Sequence, residues 1–143
     1  MSVDMAVFAS CVVLLFVKMF ALSCYQGYAR IRFTAFTNPE DAAVFKRAPM
    51  ANELPQVERG ARAWRNDLEN IPAFFALGGL AIALDSPAVT SAWLFGVFTF
   101  ARIIHSLTYL AGVQPWRTVS YGVGVLCLIG LAVTVMTRVL GAL

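Results

Sequence analysis

Charge is scarce in this chain, and the patterns that usually explain scarce charge are missing too. Only 13% of its 143 residues are Asp, Glu, Lys or Arg against 59% hydrophobic, and mean hydropathy is +0.73. That composition excludes an ordinary soluble domain and reads as a membrane protein. There is a single histidine, His105, and the three cysteines, Cys11, Cys24 and Cys127, form no CxxC pair and no metal-like spacing. No metal site is expected, and the cysteines read as small packing residues. The formal charge of +3 comes without a basic tail or interleaved aromatic and basic residues, which argues against nucleic acid as a partner. Repeats and low-complexity segments are absent. The N-terminal apolar run has no Lys or Arg ahead of it and outlasts a signal-peptide core, so it is expected to be a retained span.

What the chain does have is long apolar stretches. A helix crosses roughly 30 Å of hydrocarbon with about 20 residues. Four spans are expected, over residues 5–29, 68–84, 88–111 and 116–139, leaving residues 33–56 as the one long loop in a single domain, 1–143. The fold class is therefore all-α, an integral membrane four-helix bundle. Within the loop Asn38-Pro39, Pro49 and Pro55 act as breakers, and Asn38 as cap with Pro39 as first helical residue predicts a short helix over residues 40–45. Pro72 is expected to kink the second span. Seven of the eleven Lys and Arg lie between Arg30 and Arg65, and the third connection adjoins Arg117, whereas the second turn carries Asp85 and no cation. By the positive-inside rule the 33–56 loop faces the cytoplasm and both termini face the lumen or periplasm. Trp93 and Trp116 suit the interfacial belt.

The few charges near the spans are patterned. Arg62, Arg65, Asn66 and Glu69 fall at i, i+3, i+4 and i+7 and share a helix face; Arg102, His105 and Tyr109 make a second stripe; Arg117 and Tyr121 make a third. Ionisable groups inside a bilayer cost several kcal/mol by most estimates, so each needs a partner or a ligand. Arg30, Arg62, Arg65, Arg102 and Arg117 face only Asp67 and Glu69 from the helices, with Glu40 and Asp41 in the loop. Two readings stand side by side: a structural network in which Arg102 pairs with Glu69 or Asp67, and a polar site whose cation excess takes a small anionic ligand through bidentate guanidinium contacts. Lys18 either snorkels or pairs within the bundle.

Three stretches carry a resemblance. Phe36-Thr37-Asn38-Pro39-Glu40-Asp41, the run from Val57-Glu58-Arg59 through Arg62-Ala63-Trp64-Arg65-Asn66-Asp67-Leu68-Glu69-Asn70-Ile71, and Ala101-Arg102-Ile103-Ile104-His105-Ser106-Leu107-Thr108-Tyr109-Leu110 resemble the MAPEG family, the membrane-associated proteins of eicosanoid and glutathione metabolism. The branch is that of microsomal glutathione transferase and microsomal prostaglandin E synthase, and the likeness runs from about Lys18 to Tyr121. It implies a homotrimer of four-helix protomers, with glutathione bound between subunits near the cytoplasmic face and a lipophilic second substrate reaching it from the membrane lipid. By position, Arg30 matches an arginine reaching in from a neighbouring subunit, and Arg62, Arg65, Asn66, Glu69, His105, Tyr109 and Tyr121 match glutathione contacts. Glu69 is implied to take the ammonium and the arginines the carboxylates. Arg117 matches the arginine implicated in catalysis, and Asp41 a carboxylate proposed to work with it, a role that stands level with simple pairing.

Two positions depart from the pattern. Thr118 stands where the prostaglandin synthase branch has serine, and Trp64 where both branches usually have histidine. The activity implied is glutathione transfer to lipophilic electrophiles, with peroxidase activity as companion, in the endoplasmic reticulum or a bacterial inner membrane. Isomerisation of a prostaglandin endoperoxide is the nearest alternative, favoured by Arg65. A non-catalytic lipid-presenting protein belongs to another class; the polar stripes argue against it. A channel is disfavoured because the charges gather at one face.

Overall fold

The structure, a computed structural model, describes residues 2–143, and every regular element among them is helical. Helix α1 is Val3–Phe33, α2 Pro39–Val44, α3 Pro55–Ala83, α4 Ala88–Ala111 and α5 Trp116–Gly141. Local chemistry sets most of these ends. Helix α1 has Asp4 in its first turn and Arg30 and Arg32 in its last, each opposing the partial charge of the helix terminus there. Helices α2 and α3 start on Pro39 and Pro55, whose missing N–H costs nothing in a first turn. Helix α4 stops at Gly112, whose φ of 71° only glycine adopts without strain, and its N–H returns to the Thr108 and Tyr109 carbonyls.

The expected second span is the far half of a longer helix, in line with the unbroken run from the charged residues 57–70 into the apolar residues 71–84. Helix α3 runs 29 residues, passing through Pro72 without interruption, with its first half charged. Three helices, α1, α4 and α5, are long and apolar enough to cross a membrane; α3 is not. Its apolar residues 71–84 rise about 21 Å, less than the roughly 30 Å of a hydrocarbon core, which is why length and composition alone do not make it a span.

Helices α3 and α4 are central: each touches the other as well as α1 and α5, while α1 and α5 do not touch. Turns over residues 84–87 and 112–115 set α3 against α4 and α4 against α5 as antiparallel neighbours. The centre is aromatic. Phe74 stacks on Phe98 with centroids 4.4 Å apart and meets Phe95 edge-on at 5.8 Å, with Leu15, Ile71 and Leu131 buried around them. Where the solvent is lipid, such close packing replaces the hydrophobic effect as the force holding helices together. Gly78 makes one contact possible, since the Phe8 ring of α1 occupies the space a Cβ there would need.

The buried face of α3 is Val57, Gly60, Ala63, Asp67, Asn70, Ile71, Phe74, Gly78 and Ala81. The stripe is apolar or small except where Asp67 and Asn70 interrupt it, and Asp67 sets the position of the polar site.

Candidate functional site

Asp67 is fully buried and receives two cations from two different helices. Lys18 Nζ of α1 lies 2.6 Å from both of its carboxylate oxygens, and Arg102 Nη2 of α4 donates to Oδ1 at 2.7 Å. Arg102 is 0% exposed and the Lys18 side chain 11%. Two cations on one carboxylate leave the cluster one positive charge in excess. Arg102 spends the same Nη2 a second time, donating to Asn66 Oδ1 at 2.7 Å, while its Nε and Nη1 have no partner among the described residues. Asn66 is thereby oriented: its oxygen points inward to Arg102 and its amide N–H outward to Glu69 Oε2 at 3.4 Å.

Beside this cluster is a cleft of about 270 Å³ lined by Asn66, His105, Tyr109, Arg117, Thr118 and Tyr121. Helices α3, α4 and α5 each contribute. The Arg117 guanidinium sits 4.7 Å above the Tyr109 ring, a cation–π contact that fixes its plane. His105 Nδ1 lies 3.0 Å from the Arg117 carbonyl oxygen, which can only accept, so the proton is on Nδ1. His105 Nε2 has no protein partner among the described residues, and the ring meets Tyr109 edge-on at 5.7 Å and Tyr121 at 6.0 Å. Outside the lining, the Gln114 side chain reaches back over Arg117. A guanidinium only donates, so the Gln114 amide belongs with its oxygen toward Arg117; in that orientation the oxygen accepts from Arg117 Nε at 3.3 Å and from Nη2, and the nitrogen donates to Thr118 Oγ1 at 3.1 Å.

The structure thus gathers Asn66, His105, Tyr109, Arg117 and Tyr121 from the expected set and leaves the others outside the cleft. Glu69 is exposed one turn from Asn66. Arg65 is exposed, and Arg62 is exposed and paired with Glu58 one turn earlier on α3. Arg30 is held by Glu53 at 2.6 and 3.0 Å. Asp41 accepts from Asn38 at 3.2 Å, the local contact of a helix start, so within one chain its pairing with Arg117 is not formed. Of the two partners expected for Arg102, Asp67 is the one used and Glu69 is not, because Asp67 lies on the buried stripe of α3 and Glu69 on the exposed side.

The MAPEG family model matches residues 8–137. The chain belongs to the MAPEG family. Its relatives include the prostaglandin E synthases of Macaca fascicularis and Homo sapiens, each 38% identical over 116 residues, which are 80% of this chain and 76% of theirs. The microsomal glutathione S-transferase 1 of Rattus norvegicus is 37% identical over 123 residues, 82% of this chain and 79% of its own. With three membrane-competent helices and this family, the chain is a membrane protein.

In this MAPEG protein the spacing of the stripes located Arg117, His105 and Tyr109 but overlooked Gln114, whose four-residue step to Thr118 was a visible signal. Lys18 announced itself as a lone cation within an apolar run, and the structure resolves its two readings in favour of pairing.

Proposed function

We propose that this MAPEG protein is a membrane-bound glutathione transferase with companion peroxidase activity, in which Arg117 stabilises the glutathione thiolate for attack on lipophilic electrophiles or hydroperoxides. The observation that carries this reading is the cleft itself, where a guanidinium aligned by Tyr109 stands beside two tyrosines, a histidine with a free ring nitrogen and an oriented amide. Glutathione offers two carboxylates, an ammonium and a thiol, and the donor set fits. Asn66 and the tyrosine hydroxyls supply neutral hydrogen bonds. Arg62, Arg65 and Arg30 are the carboxylate ligands, and Glu69 is the ammonium ligand. The pairs that now hold Arg62 and Arg30 are exposed or half-exposed, worth about 0–1 kcal/mol each, so a ligand carboxylate can replace them.

A thiol of pKa about 8.5 is only a few per cent ionised at neutral pH; lowering it by about two units takes about 2.7 kcal/mol. A guanidinium at about 4 Å in a partly dry site supplies that order of energy. The thiolate sulfur then forms a bond to the electrophilic carbon as the leaving group departs, or attacks the distal peroxide oxygen, breaking the O–O bond to give glutathione sulfenic acid and an alkoxide that takes up a proton to leave as the alcohol. A second glutathione thiol condenses with the sulfenic acid to give the disulfide and water. Arg117 steadies the departing anion in either case.

The protomer is one third of a homotrimer, a single domain with α3 as its fourth crossing. What supports this is the outer side of α3, where Arg62, Arg65 and Glu69 continue into exposed Leu68, Pro72, Ala76, Leu80 and Ala83 and Gly79 has nothing over it. The charged part of this stripe is costly against lipid, and its small members, Ala76, Gly79 and Ala83, suit the close approach of a neighbouring helix. A neighbour also brings Arg30 to the cleft, and Asp41 to Arg117 as a second catalytic group. The site faces the cytoplasm, in the endoplasmic reticulum or a bacterial inner membrane. A second reading, prostaglandin E synthase-type isomerisation, is favoured by Arg65 and by the prostaglandin E synthase relatives. Purified protein should bind glutathione by calorimetry, run as a trimer by mass measurement in detergent and conjugate glutathione to lipophilic electrophiles. Absence of glutathione binding refutes both readings, and turnover of a prostaglandin endoperoxide alone replaces the first by the second.

A further inference from the structure

Thr118 differs from the other hydroxyls of α5. Ser120, Thr134 and Thr137 all donate to backbone carbonyls of their own helix, at 2.8 Å each to Trp116, Gly130 and Thr134. Thr118 instead meets a side chain, Gln114, four residues earlier in the turn before α5. Arg117 decides which way round that contact works. A guanidinium only donates, so an amide turned with its nitrogen toward Arg117 sets donor against donor; the amide oxygen is what belongs there. Nε and Nη2 of Arg117 then both donate to Gln114, and the amide nitrogen is left to donate to Thr118 Oγ1 at 3.1 Å. The Thr118 oxygen is now an acceptor in this contact, and its own proton is free. Thr118 lines the cleft; Gln114 does not.

We propose that Gln114 is a positioning residue that sets the direction of a short hydrogen-bond relay, Arg117 to Gln114 to Thr118, whose last O–H is thereby available to donate to the glutathione sulfur. This inference rests on the glutathione reading and deepens it. Gln114 does two things. It clamps two of the five guanidinium N–H groups with a neutral acceptor, so Arg117 is fixed opposite the Tyr109 ring without losing its charge to a carboxylate. It also converts Thr118 from a hydroxyl that could spend its proton on Gln114 into one that offers that proton to the cleft. Thiolate is favoured by both groups, through charge and through a hydrogen bond to its ionised form. The methyl that distinguishes Thr118 from serine narrows the rotamers available, which helps a relay that depends on one orientation.

The test is a pH titration of the thiolate absorbance of bound glutathione, with kcat and KM across the same range, on the full-length protein in detergent. Gln114→Ala, at an exposed turn position, should displace the titration and the kcat profile upward by about one pH unit while the KM for glutathione stays within about twofold. Gln114→Glu should displace them further, because a carboxylate both neutralises Arg117 and takes the Thr118 proton. Thr118→Val should raise the profile in the unmodified protein and add nothing in the Gln114→Ala background, the non-additivity of residues acting as one unit. If Gln114→Ala fails to fold, the Gln114→Glu titration decides alone. A thiolate signal that both Gln114 variants leave in place refutes the relay only. No thiolate signal in the unmodified protein refutes the glutathione reading and the relay with it.

Discussion

Replacing Asp67 by Asn changes one atom and leaves Lys18 and Arg102 facing each other with no anion between them. Asp67 accepts from Lys18 at 2.6 Å through both oxygens and from Arg102 at 2.7 Å, and neither it nor Arg102 has measurable exposure. At an effective dielectric of about 20, opposite charges about 3 Å apart attract by about 5–6 kcal/mol, so the two contacts are worth about 11 kcal/mol before desolvation and before the repulsion between Lys18 and Arg102. Burying three ions takes back most of that. What remains decisive is that removing one partner strands the others, for which a loss of about 3–5 kcal/mol is usual. At about 3 °C per kcal/mol this predicts a fall in Tm of about 9–15 °C. Thermal unfolding in detergent, followed by helical circular dichroism, reads it directly. Adding Lys18→Met to Asp67→Asn removes one of the two uncompensated cations and should restore about half of the loss. A shift of under about 3 °C in the single variant, or no recovery in the double, refutes the claim that the Asp67 charge holds this cluster together.

Three further outcomes are expected. Arg117→Ala should lower kcat by about two orders of magnitude and glutathione affinity by much less, as loss of a group acting mainly on developing charge does; stopped-flow turnover beside calorimetry separates the two, and equal losses contradict the thiolate role. Glu69→Gln should weaken glutathione binding about tenfold by calorimetry with the oligomer mass unchanged, since a rim carboxylate on an ammonium is a charge-assisted contact. Gly78→Val should destabilise by about 1–3 kcal/mol in a thermal melt, because the Phe8 ring already fills the space above that position and must leave its contacts with Phe74 and Phe95.

The helices were legible because apolar length, proline and glycine all report on the chain itself. Residues 88–111 coincide with α4, residues 5–29 and 116–139 fall within α1 and α5, and the short helix begins at Pro39, one residue earlier than expected. The stripes through Arg102 and Arg117 were legible for the same reason, since spacing along one helix fixes what shares a face. Partners on other helices were harder, because they depend on how each helix is rotated about its axis. Asp67 is one residue from Asn66, about 100° around α3, and that step separates a fully buried acid from a cleft-lining amide. The rotation was nevertheless written in the small and apolar residues 57, 60, 63, 71, 74, 78 and 81, a stripe on which Asp67 lies and Glu69 does not. Gln114 belongs to neither pattern. Its four-residue step to Thr118 is the one trace it leaves, and its role depends on a side chain folding back from a turn, which spacing alone does not show.

The bond from Lys18 to Asp67 also bears on how the chain enters a bilayer. Helix α3 has about 21 Å of apolar length and an acid just ahead of it, so by itself it is a poor candidate for insertion. Helix α1 is long and greasy with one cation near its middle. Paired, the two carry a neutralised couple where each alone carries a charge that costs several kcal/mol in hydrocarbon. With α3 as the proposed fourth crossing, its insertion is expected to follow that of α1, so that the residue fixing the polar cluster would also set an order on assembly.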